Sequence, residues 1–102
     1  FRTMGPTLVE GRWSVKLTIE FQSRTLPAEF LVTCDCPFAE LEVVQASDSL
    51  RAAGCLIAPG DKQNSFILTV CPSSLVNFDR TAVRLLASKS VRIASVERLF
   101  RP

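Results

Sequence analysis

The sequence predicts an all-β protein, an antiparallel β-sandwich of immunoglobulin-like type with roughly seven or eight strands, with a jelly roll as the alternative. Three observations lead to this fold class. Short segments in which apolar and polar residues alternate recur about every eight to twelve residues, turn-forming residues separate them, and no segment has the periodicity of a helix. We expect residues 1–11 to form a lead-in or an edge strand and residues 12–102 to form one sandwich domain.

The clearest strand follows Gly11, where apolar and polar residues alternate over Arg12–Ser23. Alternation at a period of two predicts a strand with one face in the core. The next strand, Ala28–Asp35, should end before Pro37, because proline lacks a backbone N–H and interrupts a sheet ladder.

The remaining segments follow the same pattern between turn signals. Further strands are predicted at Thr7–Glu10, Glu40–Ala46, Ala53–Ala58, Ser65–Cys71, Thr81–Ala87 and Val91–Phe100, with a crossing that could make one helical turn at Leu75–Arg80. The predicted core residues are Trp13, Val15, Leu17, Ile19, Phe21, Phe30, Val32, Cys34, Leu41, Val43, Cys55, Ile57, Phe66, Leu68, Val70, Val83 and Leu85.

The composition is that of a folded globular domain with little net charge. Of the 102 residues, 47% are hydrophobic and 22% are charged, and the formal net charge of +2 is too small to predict nucleic acid as a partner. No apolar run approaches the roughly 20 residues that a membrane-spanning helix needs, so no membrane span is predicted. Because the chain begins at Phe1 rather than Met, we expect either a domain excised from a larger protein or a processed product.

The four cysteines raise the questions of metal binding and of disulfide formation. Cys34 and Cys36 lie two apart on one strand, and Cys55 and Cys71 are single residues, whereas structural zinc sites usually use paired C-x₂₋₄-C motifs. A bond between Cys34 and Cys36 would be strained. We therefore predict no metal and no cofactor, and we favour free thiols and a cytoplasmic location, although the sequence does not determine the compartment.

Catalysis is not expected, because the groups that usually support it are missing or poorly placed. Histidine, the common general base near neutral pH, is absent. Asp35 lies between two thiols and disfavours their thiolate forms, and neither a G-x-S-x-G motif nor a glycine-rich phosphate loop is present. The carboxylates of Asp35, Glu40 and Glu42 could bind calcium or a basic partner, but a solvated strand face is the simpler interpretation.

Positive charge is concentrated near the C-terminus. Residues 79–102 carry six arginines and lysines against two carboxylates. If the last two strands pair as a hairpin, one sheet face combines arginines with an apolar strip, which suits a short acidic or phenylalanine-containing peptide. The alternative is a solvent face that protects a sheet edge. The predicted partner-binding residues are Arg84, Leu86, Arg92, Ala94 and Val96.

About half of the chain resembles a known family. The resemblance rests on CPFAELEVVQASDSLRAAGCLIAPGDKQNSFILTV and RTAVRLLAS, which lie between Cys36 and Ser88. These segments place, in order, a proline before a strand, a serine-containing loop, a Pro-Gly turn and strands with basic residues. This order resembles the ear (appendage) domains of clathrin adaptors, especially the small gamma-adaptin and GGA type. The resemblance implies an immunoglobulin-like sandwich that binds short peptide motifs of accessory proteins.

Together these features predict a non-catalytic β-sandwich module of a larger protein, which contacts a protein or a short peptide. The alternative function is an accessory carbohydrate-binding domain of an extracytoplasmic protein. Glycan sites usually present aromatic rings, but tyrosine is absent and the single tryptophan, Trp13, falls in phase with the core face. We therefore predict a protein partner and keep a glycan as the second choice.

Overall fold

The computed structural model describes residues 1–20, 28–46, 54–71 and 80–99. Within these ranges the chain forms eight strands and one 3₁₀-helical turn, Phe38–Glu40, and the predicted all-β sandwich is confirmed. The strands are β1 (Arg2–Val9), β2 (Arg12–Glu20), β3 (Ala28–Cys34), β4 (Glu42–Gln45), β5 (Gly54–Pro59), β6 (Ser65–Cys71), β7 (Arg80–Ala87) and β8 (Ile93–Leu99). Of the crossing predicted at Leu75–Arg80, only Arg80 belongs to the described residues, and it begins β7.

The strands form two antiparallel sheets of four. The first sheet has the order β1-β2-β7-β4, and the second has the order β5-β6-β3-β8. Strands β4 and β5 contact each other at one side of the sandwich. At the other side, an open cavity of about 280 Å³ is lined by residues of β1 and of the segment leading into β8. Strands β1 and β8 are therefore edge strands that flank this cavity.

The core consists of the residues that alternate inward from both sheets, as the sequence pattern predicts. In β2 the inward residues Val15, Leu17 and Ile19 are buried, while the residues between them face away from the second sheet. Phe66 is the largest fully buried side chain, and its ring lies 5.6 Å from the ring of Phe38. The other buried apolar residues of this core are Ala28, Phe30, Val32, Cys34, Leu68, Val70, Val83, Leu85, Ala87 and Val91.

Strand β1 starts at Arg2 and not at Thr7 as predicted, because the chain accommodates Gly5-Pro6 inside the strand. The register with β2 shifts between Met4 and Thr7, so a bulge absorbs the two residues that interrupt the alternation. Gly5 has φ +107°, and a Cβ atom there would lie 2.6 Å from the carbonyl oxygen of Ser14. Glycine is therefore required at this bulge.

Two predicted core residues, Trp13 and Phe21, are not among the buried residues of the described core. Trp13 is half-buried rather than buried, because it lies at the end of β2 between Leu8 of β1 and Ala87 of β7. Phe21 lies outside the described residues. In the described part of the chain, no helix has the length and apolar character to cross a membrane.

Candidate functional site

The hairpin proposed for the last two strands is wrong. Strand β7 pairs with β2 and β4 in the first sheet, whereas β8 pairs with β3 in the second sheet. The segment between them crosses from one sheet to the other, and Val91 in this segment is fully buried. Because the link contributes to the core, it cannot act as a tight hairpin turn on one sheet.

The five predicted partner-binding residues consequently do not form one surface. Arg84 and Leu86 are half-buried on the outer face of the first sheet, between buried neighbours that point inward. Arg92 and Ala94 are exposed at the start of the second sheet's edge strand. Val96 lies opposite the buried Val32 and packs against the core. The binding role of these residues stays a prediction, but only the first two can share a ligand on one sheet face.

The outer face of the first sheet carries positively charged side chains from strands that are distant in sequence. One row across the sheet places Met4 of β1 beside Lys16 of β2, then Arg84 of β7, then Val44 of β4. Lys16 and Arg84 are directly opposite each other in the register of β2 and β7. We call this surface the basic face. Among the residues whose side chains are described, its charged and larger apolar members are Arg2, Met4, Val9, Arg12, Lys16, Glu20, Glu42, Val44, Arg84 and Leu86.

Both carboxylates of the basic face are held by arginines at its margins. Arg2 donates to Glu20 at 3.0 Å along the side of β1 and β2. Arg12 of β2 reaches across β7 to donate to Glu42 of β4 at 2.7 Å. Such exposed pairs contribute little to stability. They place the two carboxylates at the margins of the face, away from the central row.

The basic face is also partly apolar. The exposed fraction is 70% for Met4 and 52% for Val9, and both lie on the edge strand β1. Leu86 and Val44 are half-buried on the opposite side of the face. Apolar side chains on both sides of a cationic centre match a ligand that carries acidic and apolar groups together.

Sequence reasoning found Arg84 and Leu86 of this face and missed the contribution of β1 and β2. Lys16 was already visible as a polar residue in the alternation of β2. Met4 carried no such signal, because Gly5-Pro6 breaks the alternation and residues 1–11 read as a lead-in. Only the order of the strands brings these side chains beside Arg84.

A second cluster surrounds Cys34-Asp35-Cys36, where three segments meet at one corner of the sandwich. Asn64 accepts a hydrogen bond from the Cys34 N–H at 2.9 Å and donates its side-chain amide to the Cys34 carbonyl at 2.9 Å. The backbone N–H of Arg92 donates to Asp35 Oδ1 at 2.9 Å, and the Asp35 N–H donates to the Arg92 carbonyl at 3.1 Å. These bonds join the end of β3 to the β5–β6 turn and to the β7–β8 link.

The thiols at this corner are poor nucleophiles. Burial raises the pKa of Cys34 to about 12, and the neighbouring Cys36 and Asp35 add to the rise. Burial, followed by Asp35 and Glu40, also raises the pKa of Cys36, while Lys89 opposes the change. Cys34, Cys36 and Cys55 are not joined in disulfides, and among the described residues no group of cysteine and carboxylate side chains is arranged to hold a metal ion.

Because the pKa of Cys34 is raised in the folded protein, the free energy of unfolding changes with pH in the alkaline range. The unfolded chain loses the Cys34 proton near pH 9, whereas the folded protein retains it up to about pH 12. Stability from this group is thus complete below pH 9 and declines above it, by up to about 1.4 kcal/mol per pH unit. We expect Cys34→Ala to flatten the decline between about pH 8 and pH 10 in urea unfolding. Equal slopes for the variant and the wild type would contradict this assignment.

Comparisons of the chain with protein-family models, with curated proteins and with solved structures give no match. The resemblance to adaptor ear domains therefore stays a prediction. So does the glycan alternative, for which the half-buried Trp13 offers little aromatic surface.

Proposed function

We propose that this protein is a non-catalytic β-sandwich module that binds an acidic, partly apolar segment of a protein partner on its basic face. The observation that carries the proposal is the central row of that face. Lys16 and Arg84 stand side by side in the register, with Met4 and Val44 at either end of the row. Acidic groups of a partner can bind beside these two cationic side chains, while its apolar groups contact Met4 or Val44.

The ligand class follows from the shape of the surface. A pleated sheet face is flat, so an extended peptide can lie across it and place alternate side chains on the sheet. Acidic side chains would bind near Lys16 and Arg84, and apolar ones would cover Met4 or Leu86. Because the charges lie near the surface, binding should weaken as salt is raised above physiological strength.

The test uses a defined probe, a fluorescein-labelled peptide of about ten residues in which Glu and Phe alternate. We expect fluorescence anisotropy to show binding that the double variant Lys16→Glu/Arg84→Glu weakens by at least about 100-fold, since each charge-assisted contact contributes about 1.5–3 kcal/mol. The matched control, Lys62→Glu/Lys89→Glu, changes net charge equally at exposed positions outside the basic face. An equal loss in both variants, or no binding of the peptide by the wild type, would contradict the proposal.

A further inference from the structure

The open cavity between the edge strands β1 and β8 lies where the two sheets leave space between them. Thr3 of β1 is opposite the buried Leu17, so it belongs to the inner face of the first sheet, yet it is exposed. The cavity volume of about 280 Å³ is just below the roughly 300–1,000 Å³ of pockets that hold drug-sized ligands. The space therefore fits a smaller organic molecule.

One part of the cavity wall is apolar. Val15 of β2 and Val91 of the β7–β8 link belong to the core cluster, and Ile93 of β8 packs against that cluster. Pro6 of β1 adds a half-buried ring. An aliphatic wall of this kind favours a hydrocarbon group over water.

The other part of the wall contains Thr3 and Arg92, and among the described residues that line the cavity Arg92 carries the only charge. Asp35 holds the Arg92 backbone, because it accepts the Arg92 N–H at 2.9 Å and donates its own N–H to the Arg92 carbonyl at 3.1 Å. Neither bond uses the guanidinium, and the salt bridges within the described residues are made by Arg2 and Arg12. Since Arg92 is exposed, its guanidinium is available to an anion.

We propose that this cavity binds a small carboxylate with a short hydrocarbon body. The planar guanidinium of Arg92 can donate two parallel hydrogen bonds to a carboxylate, and the Thr3 hydroxyl can donate a third. The hydrocarbon body would then lie against Val15, Val91 and Ile93. The cavity opens between the sheets and not on the basic face, so this site is independent of the proposed function.

The probe is 4-methylpentanoate, which joins a carboxylate to a branched hydrocarbon chain. In NMR spectra of ¹⁵N-labelled protein, we expect saturable shifts of the Thr3, Val15 and Ile93 amides, with a dissociation constant on the order of 1 mM. Sodium chloride at equal concentrations is the reference for ionic strength. The neutral 4-methylpentanamide should bind at least about tenfold more weakly, because it lacks the charge that pairs with Arg92. Equal binding of acid and amide, or no saturable shift up to about 20 mM acid, would overturn the inference.

The charge of Arg92 is tested by a neutral substitution of similar shape. Arg92→Gln retains the backbone bonds to Asp35 and should weaken the binding of 4-methylpentanoate by at least about tenfold. Lys89→Gln is the matched control, because it removes an exposed cation of the same link that does not line the cavity. This control should bind as the wild type does, and equal losses in the two variants would overturn the role of Arg92.

The cavity itself is tested by filling it. Thr3→Phe places a ring in the space between the strands and should abolish the binding of 4-methylpentanoate. Thr7→Phe is the matched control, because Thr7 is exposed on the outer face of the same strand, opposite Ser14. The control should bind as the wild type does. Undiminished binding by Thr3→Phe would contradict the position of the site.

A carboxylate of this kind occurs as a free acid or as the C-terminal leucine of a peptide. The tripeptide Ala-Ala-Leu with a free carboxyl end represents the second source, and the same tripeptide with an amidated end is its control. Tighter binding of the free tripeptide than of 4-methylpentanoate assigns the cavity to peptide carboxyl ends, and weaker binding assigns it to free acids. Amidated and free tripeptides that bind equally well would contradict carboxylate recognition.

Discussion

Phe66→Ala should lower the free energy of unfolding by about 3–5 kcal/mol. The side chain is fully buried, it lies opposite Val32 in the sheet, and its ring contacts that of Phe38. Alanine removes this apolar surface from the core and leaves a cavity between the sheets. Because a domain of this size has about 5–15 kcal/mol of stability in total, the variant should retain little of it.

Urea unfolding followed by circular dichroism measures the change, with two phenylalanines as internal controls. Phe38 is half-buried, so Phe38→Ala should cost about half as much as Phe66→Ala. Phe1 is 60% exposed, and Phe1→Ala should be within about 0.5 kcal/mol of the wild type. Equal losses at Phe66 and Phe1 would contradict the position of Phe66 in the core.

Thr81→Cys should create a disulfide that links the two sheets and stabilises the fold by about 3 kcal/mol. The Sγ atom of Cys55 on β5 lies 2.8 Å from the Oγ1 atom of Thr81 on β7. Strand β5 belongs to the second sheet and β7 to the first, and Thr81 is fully buried. A sulfur in place of Oγ1 is therefore within reach of Cys55 only if the sheets pack as described.

Mass spectrometry of the oxidised variant should show the loss of two hydrogens and a peptide that joins Cys55 to position 81. The melting temperature should rise, and a reducing agent should abolish that rise. Thr69→Cys is the matched control, because Thr69 lies on the outer face of β6, whereas Cys55 faces inward. A crosslink from position 69 to Cys55, or none from position 81, would contradict the packing of the sheets.

The inward faces of the strands could be predicted from the sequence, because burial follows alternation directly. Val15 and Leu17 of β2, and Phe66 and Leu68 of β6, point inward as their spacing predicts. The bulge in β1 broke this rule, since Met4 and Thr7 share a face although three positions separate them. Alternation at a period of two places residues an odd number of positions apart on opposite faces, so the sequence pattern cannot reveal such a bulge.

Strand order could not be predicted, and the candidate site depends on it. Alternation indicates which side chains share a face of one strand, but it does not indicate which strand lies beside another. The hairpin of β7 and β8 was the simplest pairing for consecutive strands. The segment that contains the buried Val91 instead crosses from the first sheet to the second. Strand β7 therefore lies between β2 and β4 and not beside β8. Lys16 and Arg84 thus become neighbours across a long stretch of sequence.

The Cys34-Asp35-Cys36 segment contains side chains of the types used in catalytic and metal sites, but its observed role is to hold neighbouring segments together by hydrogen bonds. Asp35 accepts the N–H of Arg92, and the Cys34 backbone is bonded on both sides to Asn64. Raised thiol pKa values accompany this packing, because burial disfavours the charged form. The segment accordingly joins β3 to two turns, and the proposed docking surface lies on the other sheet.

The central claim is that the basic face is the docking surface of this module. A titration of ¹⁵N-labelled protein with the alternating Glu-Phe peptide, followed by amide chemical shifts in NMR spectra, tests it at every residue. We expect the largest changes at Lys16 and Arg84, with smaller ones at Met4 and Val44 in the same row. Largest changes on the second sheet, or around Arg92 at the corner, would contradict it.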